Sequence, residues 1–155
     1  METEPKFDLR PLTDDDSEFL KCLFAETNGQ VFEGLQAEQK SELMEMQLSA
    51  RETGWRTSYP SGRFQLIVVE SEAAGLWYTA ENEDSLTLIY AALSRKYRGR
   101  GIVAALTRQW MMRVKEMGKP IEAHVEATNP AMAIWVHLGF KVISTSGVYT
   151  RLKYC

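Results

Sequence analysis

"KYRGRGIVAAL", the stretch Lys96–Leu106, places two arginines and two glycines side by side and then continues into an apolar, helix-forming run. An apolar strand pattern ends at Leu93 just before it, so the stretch predicts a turn between a strand and a helix. Glycines let backbone N–H groups approach a ligand, a helix N-terminus carries partial positive charge, and arginines bind phosphate oxygens. The stretch therefore predicts a phosphate or pyrophosphate site. Taken alone, it is equally compatible with a solvated basic turn.

The bulk composition is typical of one globular domain. The chain has 155 residues, of which 45% are apolar and 25% are charged, and this is enough to bury a core. We therefore expect a single domain over residues 1–155. No apolar run reaches the length of a membrane span, and the acidic start "METEPKFD" differs from the basic and then apolar pattern of a signal peptide. We expect a cytoplasmic protein without a membrane partner.

The net charge of −3 is unevenly distributed along the chain. Residues 1–52 carry 13 acidic and 5 basic side chains, a net charge of −8, and the remainder carries +5. This asymmetry is compatible with an anionic cofactor and a cationic substrate, but an uneven solvated surface explains it more simply. Overall acidity argues against a nucleic-acid-binding domain. The basic residues that such a domain would use are Arg95, Lys96, Arg98 and Arg100.

Metal binding is not expected. The cysteines Cys22 and Cys155 fit neither a disulfide framework nor metal-ligand spacing. The histidines His124 and His137 fall on different predicted elements without a partner at zinc-ligand spacing.

The hydrophobic periodicity predicts a mixed sheet with helices. We predict strands over residues 7–12, 63–71, 74–81, 84–93, 121–127, 140–145 and 148–154. We predict helices over residues 13–26, 36–55, 101–117 and 130–138. Turns are expected at Glu72–Gly75, at Glu81–Asp84 and near Ser146 and Gly147, with a loop at Asn28–Gly34. The order predicts an α/β (α+β) class: one domain with a mixed, mostly antiparallel sheet flanked by helices.

A second motif follows in "HVEATNPAMAIWVHLGF", where Asn129 and Pro130 indicate a helix start. The turn at residues 98–103 resembles the R/Q-x-x-G-x-G/A signature of the GNAT superfamily of acetyl-CoA-dependent N-acetyltransferases. Residues Asn129–Phe140 are similar to that family's N-P-A-x-x-L-Y-x-x-L-G-F pattern. The predicted order of elements agrees with the family's fold, and the resemblance extends over roughly Phe7–Tyr154.

The resemblance implies acetyl-CoA as co-substrate. Its pyrophosphate is expected on the backbone of the turn, and its pantetheine arm is expected to pair with the main chain of the fourth strand as an added strand does. The implied cofactor-binding residues are Ala91, Ala92, Leu93, Arg98, Gly99, Arg100, Gly101, Ile102, Val103, Asn129 and Trp135. A plain N-cap for Asn129 and core packing for Trp135 remain alternatives.

Two positions depart from the family's pattern. Val103 stands where the family prefers Gly or Ala, beside the turn that holds the pyrophosphate. Trp135 stands where many members carry the tyrosine that protonates the departing thiolate, and an indole N–H is a poor acid. The catalytic roles implied by the resemblance therefore need other residues.

The catalytic candidates are Glu126 and Tyr149. Glu122, His124 and Glu126 alternate onto one face of the fifth strand, and Glu126 lies at the strand end where family members keep the thioester. Tyr149 on the last strand and Tyr90 on the fourth are phenols that would replace the missing acid. A solvent-facing role for Glu126 and ordinary packing for the tyrosines are the alternatives.

The resemblance implies an N-acetyltransferase that moves an acetyl group from acetyl-CoA to a primary amine by direct attack, without a covalent enzyme intermediate. The alternative is a catalytically weak acyl-CoA-binding or sensing module. The acceptor is a small-molecule or peptide amine, and polyamines, amino acids, antibiotics, protein lysines and N-termini all remain open. The sequence leaves the oligomeric state open, and a homodimer is suggested only by analogy with relatives, among which dimers are common.

Overall fold

Seven strands form one sheet in the computed structural model, which describes residues 5–28, 32–126, 129–147 and 149–155. The strands are β1 (Asp8–Pro11), β2 (Arg63–Val69), β3 (Glu72–Glu81), β4 (Leu86–Leu93), β5 (Ile121–Glu126), β6 (Lys141–Ser146) and β7 (Tyr149–Tyr154). The helices are α1 (Ser17–Asn28), α2 (Ala37–Ser58), α3 (Ile102–Met117) and α4 (Met132–His137). Short 3₁₀ helices lie at Asp14–Asp16 and Arg95–Tyr97.

The strand order is β1-β2-β3-β4-β5-β7-β6. Among the described strands, β4 and β5 form the single parallel pair, and every other neighbouring pair is antiparallel. The parallel pair follows from α3, because a crossover helix returns the chain to the same end of the sheet. The predicted class, a mixed and mostly antiparallel α/β sheet, is confirmed.

The periodicity of α3 and β5 is as the sequence predicts. On α3 the buried residues recur on one side of the helix, and Gly118, with φ of 71°, ends it in the left-handed conformation. On β5 the odd-numbered residues are buried, and Glu122, His124 and Glu126 lie on the opposite face. The buried residues of α3 are Ile102, Val103, Leu106, Thr107, Trp110 and Val114. The core beside the sheet is therefore formed by α3 and the buried sides of the central strands.

The turn predicted at Glu72–Gly75 is wrong. The chain turns at Glu70 and Ser71, whose φ angles of 51° and 66° are positive although neither is a glycine, and β3 already begins at Glu72. Gly75 instead lies inside β3, opposite Leu93 of β4. A Cβ atom there would lie 2.3 Å from the Ala92 carbonyl oxygen, so this glycine permits a close approach of two strands.

Replacing Gly75 by alanine is expected to destabilise the fold. The new Cβ would overlap a backbone oxygen that has no side-chain freedom to move aside, so β3 and β4 must separate locally. We expect the free energy of unfolding to fall by about 1–3 kcal/mol, measured by urea denaturation. Gly54, which lies within α2 and where an added Cβ would meet nothing within 4 Å, is the matched control. Gly54→Ala is expected to leave the protein as stable or more stable, and equal destabilisation by both changes would contradict this explanation.

The chain divides into two compact units, and the expectation of a single domain stays a prediction. One unit comprises the chain up to Pro11 together with Ser61–Cys155, and the other comprises Leu12–Pro60. In the smaller unit, α1 and α2 pack around Phe24, Phe32 and Leu48. The bounds that the sequence predicts for these two helices agree with the structure within a few residues.

Some sequence predictions fall partly outside the described residues. They include positions 29–31 of the loop predicted at Asn28–Gly34, position 127 of the fifth strand and position 148 of the last. In the ranges that the structure describes, no helix is both long and apolar enough to cross a membrane.

Candidate functional site

A gap opens between β4 and β5 because these strands pair over only part of their length. Their described register consists of three pairs, from Leu86 opposite Ile121 to Leu88 opposite Ala123. Farther along, Tyr78 of β3 faces Tyr90 and Thr79 faces Leu88, so Ile89 is an extra residue that bulges β4. A bulge bends the strand that contains it. The last residues of β4 are thus left without β5 as a neighbour.

The edge of β4 at this gap presents backbone groups. The Ala91 carbonyl accepts a hydrogen bond of 3.2 Å from Asn129 Nδ2, in the segment that follows β5, and the Leu93 carbonyl accepts one of 3.0 Å from Arg98 Nε. Backbone groups alternate in direction along a strand, so the backbone groups of Ala92 face β3, in agreement with the Ser94 amide two residues later, which donates to the Ala74 carbonyl of β3. The predicted pantetheine-binding stretch therefore has outward-facing main chain at two of its three residues.

Asn129 connects this edge to the start of α4. Its Oδ1 accepts a 2.9 Å hydrogen bond from the Ala131 amide while its Nδ2 donates to Ala91. The helix begins at Met132, two residues later than predicted, because this side chain organises a turn first. Asn129 thus acts as a local cap and also lies at the gap, so the two interpretations from the sequence are compatible.

The glycine-rich turn has the backbone geometry of an anion site. Gly99 and Gly101 both have φ of 79°, a left-handed conformation that only glycine adopts without strain. The first hydrogen bond within α3 joins the Ala105 amide to the Gly101 carbonyl, so the amides before Ala105 have no acceptor within the helix. A Cβ at either glycine would meet nothing within 4 Å. Open space therefore lies in front of the turn.

Val103 does not obstruct this turn. Its side chain is 3% exposed and belongs to the core cluster, as does that of Ile102. Both side chains point away from the open face because they form the buried side of the first helical turn. The departure from the family's Gly or Ala at this position is absorbed by the core.

Charged and aromatic side chains surround the turn. The buried Tyr97 donates its hydroxyl proton to the Glu72 carboxylate, and Lys96 Nζ lies 3.1 Å from that carboxylate. The Tyr97 hydroxyl, and then Lys96, lower the pKa of Glu72 below its ordinary value, while Glu72 raises the pKa of Tyr97. The Arg100 guanidinium lies 5.3 Å from the centre of the Tyr97 ring. The sequence motifs predict no role for Tyr97 or Glu72, although Tyr97 directly precedes the R-G-R-G turn.

Trp135 lies in the core rather than at an open surface. It is 2% exposed, and its indole N–H donates a 3.1 Å hydrogen bond to Thr107 Oγ1. The Thr107 hydroxyl in turn donates to the Val103 carbonyl at 2.8 Å. This placement favours the packing alternative over cofactor contact, and it explains the tryptophan as a link between α4 and α3.

Trp135→Phe is expected to lower stability and leave cofactor affinity unchanged. The substitution removes the hydrogen bond to Thr107 and some ring volume, a loss of about 1–2 kcal/mol in the free energy of unfolding. Chemical denaturation measures the stability, and calorimetric titration with coenzyme A measures the affinity. A fall in affinity well beyond the change in folded fraction would instead identify Trp135 as a ligand contact.

Glu126 and Tyr149 face each other across β5 and β7. They are register partners, and so are His124 and Arg151 one step along the same face. Cross-strand partners hold their Cβ atoms about 4.5–5.5 Å apart. Glu126 is half-buried and Tyr149 is 49% exposed, and no hydrogen bond or ion pair joins the Glu126 side chain to any described residue. The structure therefore brings the two catalytic candidates together at the end of β5 beside the gap.

Glu122, another acid on the same face of β5 as Glu126, forms an ion pair. Glu122 lies 3.4 Å from Arg151 Nη2, whereas the other candidate phenol, Tyr90, packs its ring at 6.1 Å from that of Tyr78. Within the described ranges, no three or more His, Cys, Asp or Glu side chains are grouped so that they could hold a metal ion.

Comparison with solved structures identifies the fold. The chain is similar to the PaiA N-acetyltransferase of Thermoplasma acidophilum in complex with coenzyme A, with a TM-score of 0.67, 17% identity and coverage of 96% of this chain and 98% of that one. It is also similar to an acetyltransferase of Thermus thermophilus, with a TM-score of 0.63, 22% identity and 96% coverage of both chains. A GNAT-family acetyltransferase of Staphylococcus aureus matches with a TM-score of 0.63, 13% identity and coverage of 96% and 98%.

These structural matches are not accompanied by a match at the level of sequence. No protein-family model and no curated protein sequence matches the chain. The matched structures cover nearly all of both chains in each comparison. The resemblance carried by residues 98–103 and 129–140 is thereby confirmed for the fold: this chain has the fold of the GNAT acetyltransferases.

Proposed function

We propose that this protein is an acetyl-CoA-dependent N-acetyltransferase that acts on primary amines. The observation that carries the proposal is the combination of two features at one end of the parallel strand pair. One is the left-handed glycine turn that leads into α3, and the other is the outward-facing main chain of β4. Together they offer backbone donors to phosphates and a strand edge to an extended amide-bearing arm.

The donor would bind along both features. Gly99 and Gly101 leave open space where a pyrophosphate would approach the α3 amides, and Arg98 and Arg100 add charge. The pantetheine arm would pair with Ala91 and Leu93. It would compete with Asn129 for the Ala91 carbonyl and with Arg98 for the Leu93 carbonyl. This arrangement would direct the thioester toward the gap between β4 and β5.

The reaction needs two proton transfers. A free alkylamine has a pKa of about 10.4 and a thiol about 8.5, so the amine must lose a proton to attack and the departing thiolate benefits from receiving one. The amine nitrogen forms a bond to the acyl carbon while the carbon–sulfur bond breaks. We assign the removal of the amine proton to Glu126, whose side chain has no hydrogen bond or ion pair to a described residue. We assign the protonation of the departing thiolate to Tyr149 opposite it.

The test is thiol release. The protein is incubated with acetyl-CoA and a panel of amines that includes polyamines, amino acids and lysine peptides, and free thiol is followed with a chromogenic disulfide. Release that depends on both the protein and one class of amine supports the proposal, with acetylated product confirmed by mass spectrometry. Silence across the panel, with CoA binding intact, would reject it.

A second candidate, a catalytically weak acyl-CoA-binding or sensing module, is favoured by one observation. Trp135 stands at the position of the family's tyrosine acid and is buried with its N–H bonded to Thr107. This candidate predicts that CoA esters raise the melting temperature by mass action without turnover. Thermal shift and thiol release measured on the same material separate the two functions.

A further inference from the structure

We infer that Glu72, acting through Tyr97, is a positioning residue for the glycine turn at residues 98–101. The inference rests on the proposed function, because it concerns the turn that would hold the CoA phosphates. Glu72 is the first residue of β3, directly after the turn at Glu70 and Ser71, and lies far from the glycine turn in sequence. Nothing in the family signature includes it.

Tyr97 is fixed at both ends of its side chain. Its ring is buried in the core cluster with 4% of the residue exposed, and its hydroxyl donates to the Glu72 carboxylate. A hydrogen bond to an ionised acceptor is shorter and roughly twice as strong as a neutral one. The last residue of the 3₁₀ helix before the turn is therefore held to the start of β3.

The Tyr97 ring in turn restrains the glycine turn through its contacts with cationic side chains. The Arg100 guanidinium lies 5.3 Å from the ring centre and Lys96 Nζ lies 5.4 Å from it, within the range of a cation–π contact. Arg100 stands between the two left-handed glycines, where the backbone has the most freedom. Fixing its side chain on an immobile ring limits that freedom and holds the amides of the turn in one orientation.

The sign of the electrostatic effect makes the inference testable. Glu72 is a carboxylate near a site proposed for a highly anionic ligand, so charge repulsion alone predicts that its neutralisation would tighten CoA binding. A positioning role predicts the opposite, because loss of the charge weakens the bond that orders Tyr97. Glu70 is an exposed acid two residues earlier, and the hydrogen bond to Tyr97 comes from Glu72 rather than from it, so it provides the charge-matched control.

The experiment measures CoA affinity by isothermal titration and acetyl-CoA kinetics for five proteins: wild type, Glu72→Gln, Tyr97→Phe, the double variant Glu72→Gln/Tyr97→Phe and Glu70→Gln. We expect Kd for CoA to rise about threefold in Glu72→Gln and about tenfold in Tyr97→Phe. We expect KM for acetyl-CoA to rise in parallel while kcat is retained. Glu70→Gln is expected to bind as wild type or slightly more tightly. The double variant should lose little affinity beyond Tyr97→Phe alone, since both changes act on the same hydrogen bond.

The outcomes separate this inference from the proposed function. A wild-type protein that binds no CoA overturns the proposed function and the inference with it. A wild-type protein that binds CoA, with Glu72→Gln binding equally or more tightly, overturns the inference alone. Glu72→Gln changes an exposed carboxylate to an amide of the same size, and circular dichroism checks that it is folded. A merely structural role would lower the melting temperature without changing Kd, and that result would also overturn the inference.

Discussion

Gly101→Ala is expected to reduce CoA affinity by about 10- to 100-fold, because hydrogen bonds to a charged ligand are lost. Gly101 holds φ of 79° and ψ of 13° as the residue that precedes α3. An alanine there costs about 1–2 kcal/mol in the left-handed conformation, and the turn relieves this strain by rotating its amides away from the ligand. The Cβ would also project into the open space that a phosphate needs. Isothermal titration with CoA measures the loss.

Gly118→Ala is the matched control for this prediction. Gly118 ends the same helix, has φ of 71°, and likewise has nothing within 4 Å of an added Cβ. It therefore carries the same conformational penalty at the opposite end of α3, away from the proposed ligand. We expect similar losses of stability from the two substitutions and a loss of CoA affinity from Gly101→Ala only. Equal affinity losses would mean that helix strain, rather than the turn, controls binding.

Glu126→Gln is expected to lower kcat by about 10²–10⁴-fold, the usual contribution of a positioned proton acceptor. The amide keeps the size of the side chain but cannot take a proton, so the ammonium substrate stays charged. CoA affinity should not change, because Glu126 lies outside the phosphate turn. The lost rate should recover partly as the pH rises toward the pKa of the free amine, about 10.4, since more of the amine is then already deprotonated. Steady-state kinetics across pH measures both effects.

Tyr149→Phe and Glu122→Gln complete this test. Tyr149→Phe should lower kcat by a smaller factor than Glu126→Gln. A thiolate can leave unprotonated because its thiol has a pKa of only about 8.5, whereas an ammonium cannot attack until it has lost a proton. Glu122 shares the face of Glu126 but is bonded to Arg151 at 3.4 Å, and an exposed ion pair contributes little stability. Glu122→Gln should therefore retain activity. A kcat unaffected by Glu126→Gln would assign the proton transfer to another group or to water.

The parts of the site with local signals were predictable from the sequence. The turn before α3 carries glycines where the backbone needs positive φ, and α3 repeats its buried residues at helical spacing. The alternation that separates Glu126 from the core of β5 is likewise a property of consecutive residues. Each of these features depends on residues within a few positions of one another, so the residue types alone indicate the local conformation and the buried side.

The turn before β3 shows where a local signal misleads. Glycine is frequent in turns, so Glu72–Gly75 resembles one, but Gly75 is required because β4 comes within van der Waals distance of its backbone. The actual turn uses Glu70 and Ser71 at positive φ, without the glycine or asparagine that such turns prefer. The consequence for the site is direct, because Glu72 then begins a strand and reaches Tyr97.

The sequence by itself determined the order and type of the elements and the glycines of the turn, and it supplied the hypothesis of phosphate binding there and the candidate acid and base. Only the tertiary structure decided that Trp135 is buried against Thr107, that Tyr149 is the cross-strand partner of Glu126, and that Glu72 bonds to Tyr97. Dihedral preferences and side-chain periodicity act between near neighbours, so they can be read along the chain. Contacts between strands and helices depend on register and on the closeness of two backbones, and these are set by packing among residues that lie far apart in sequence.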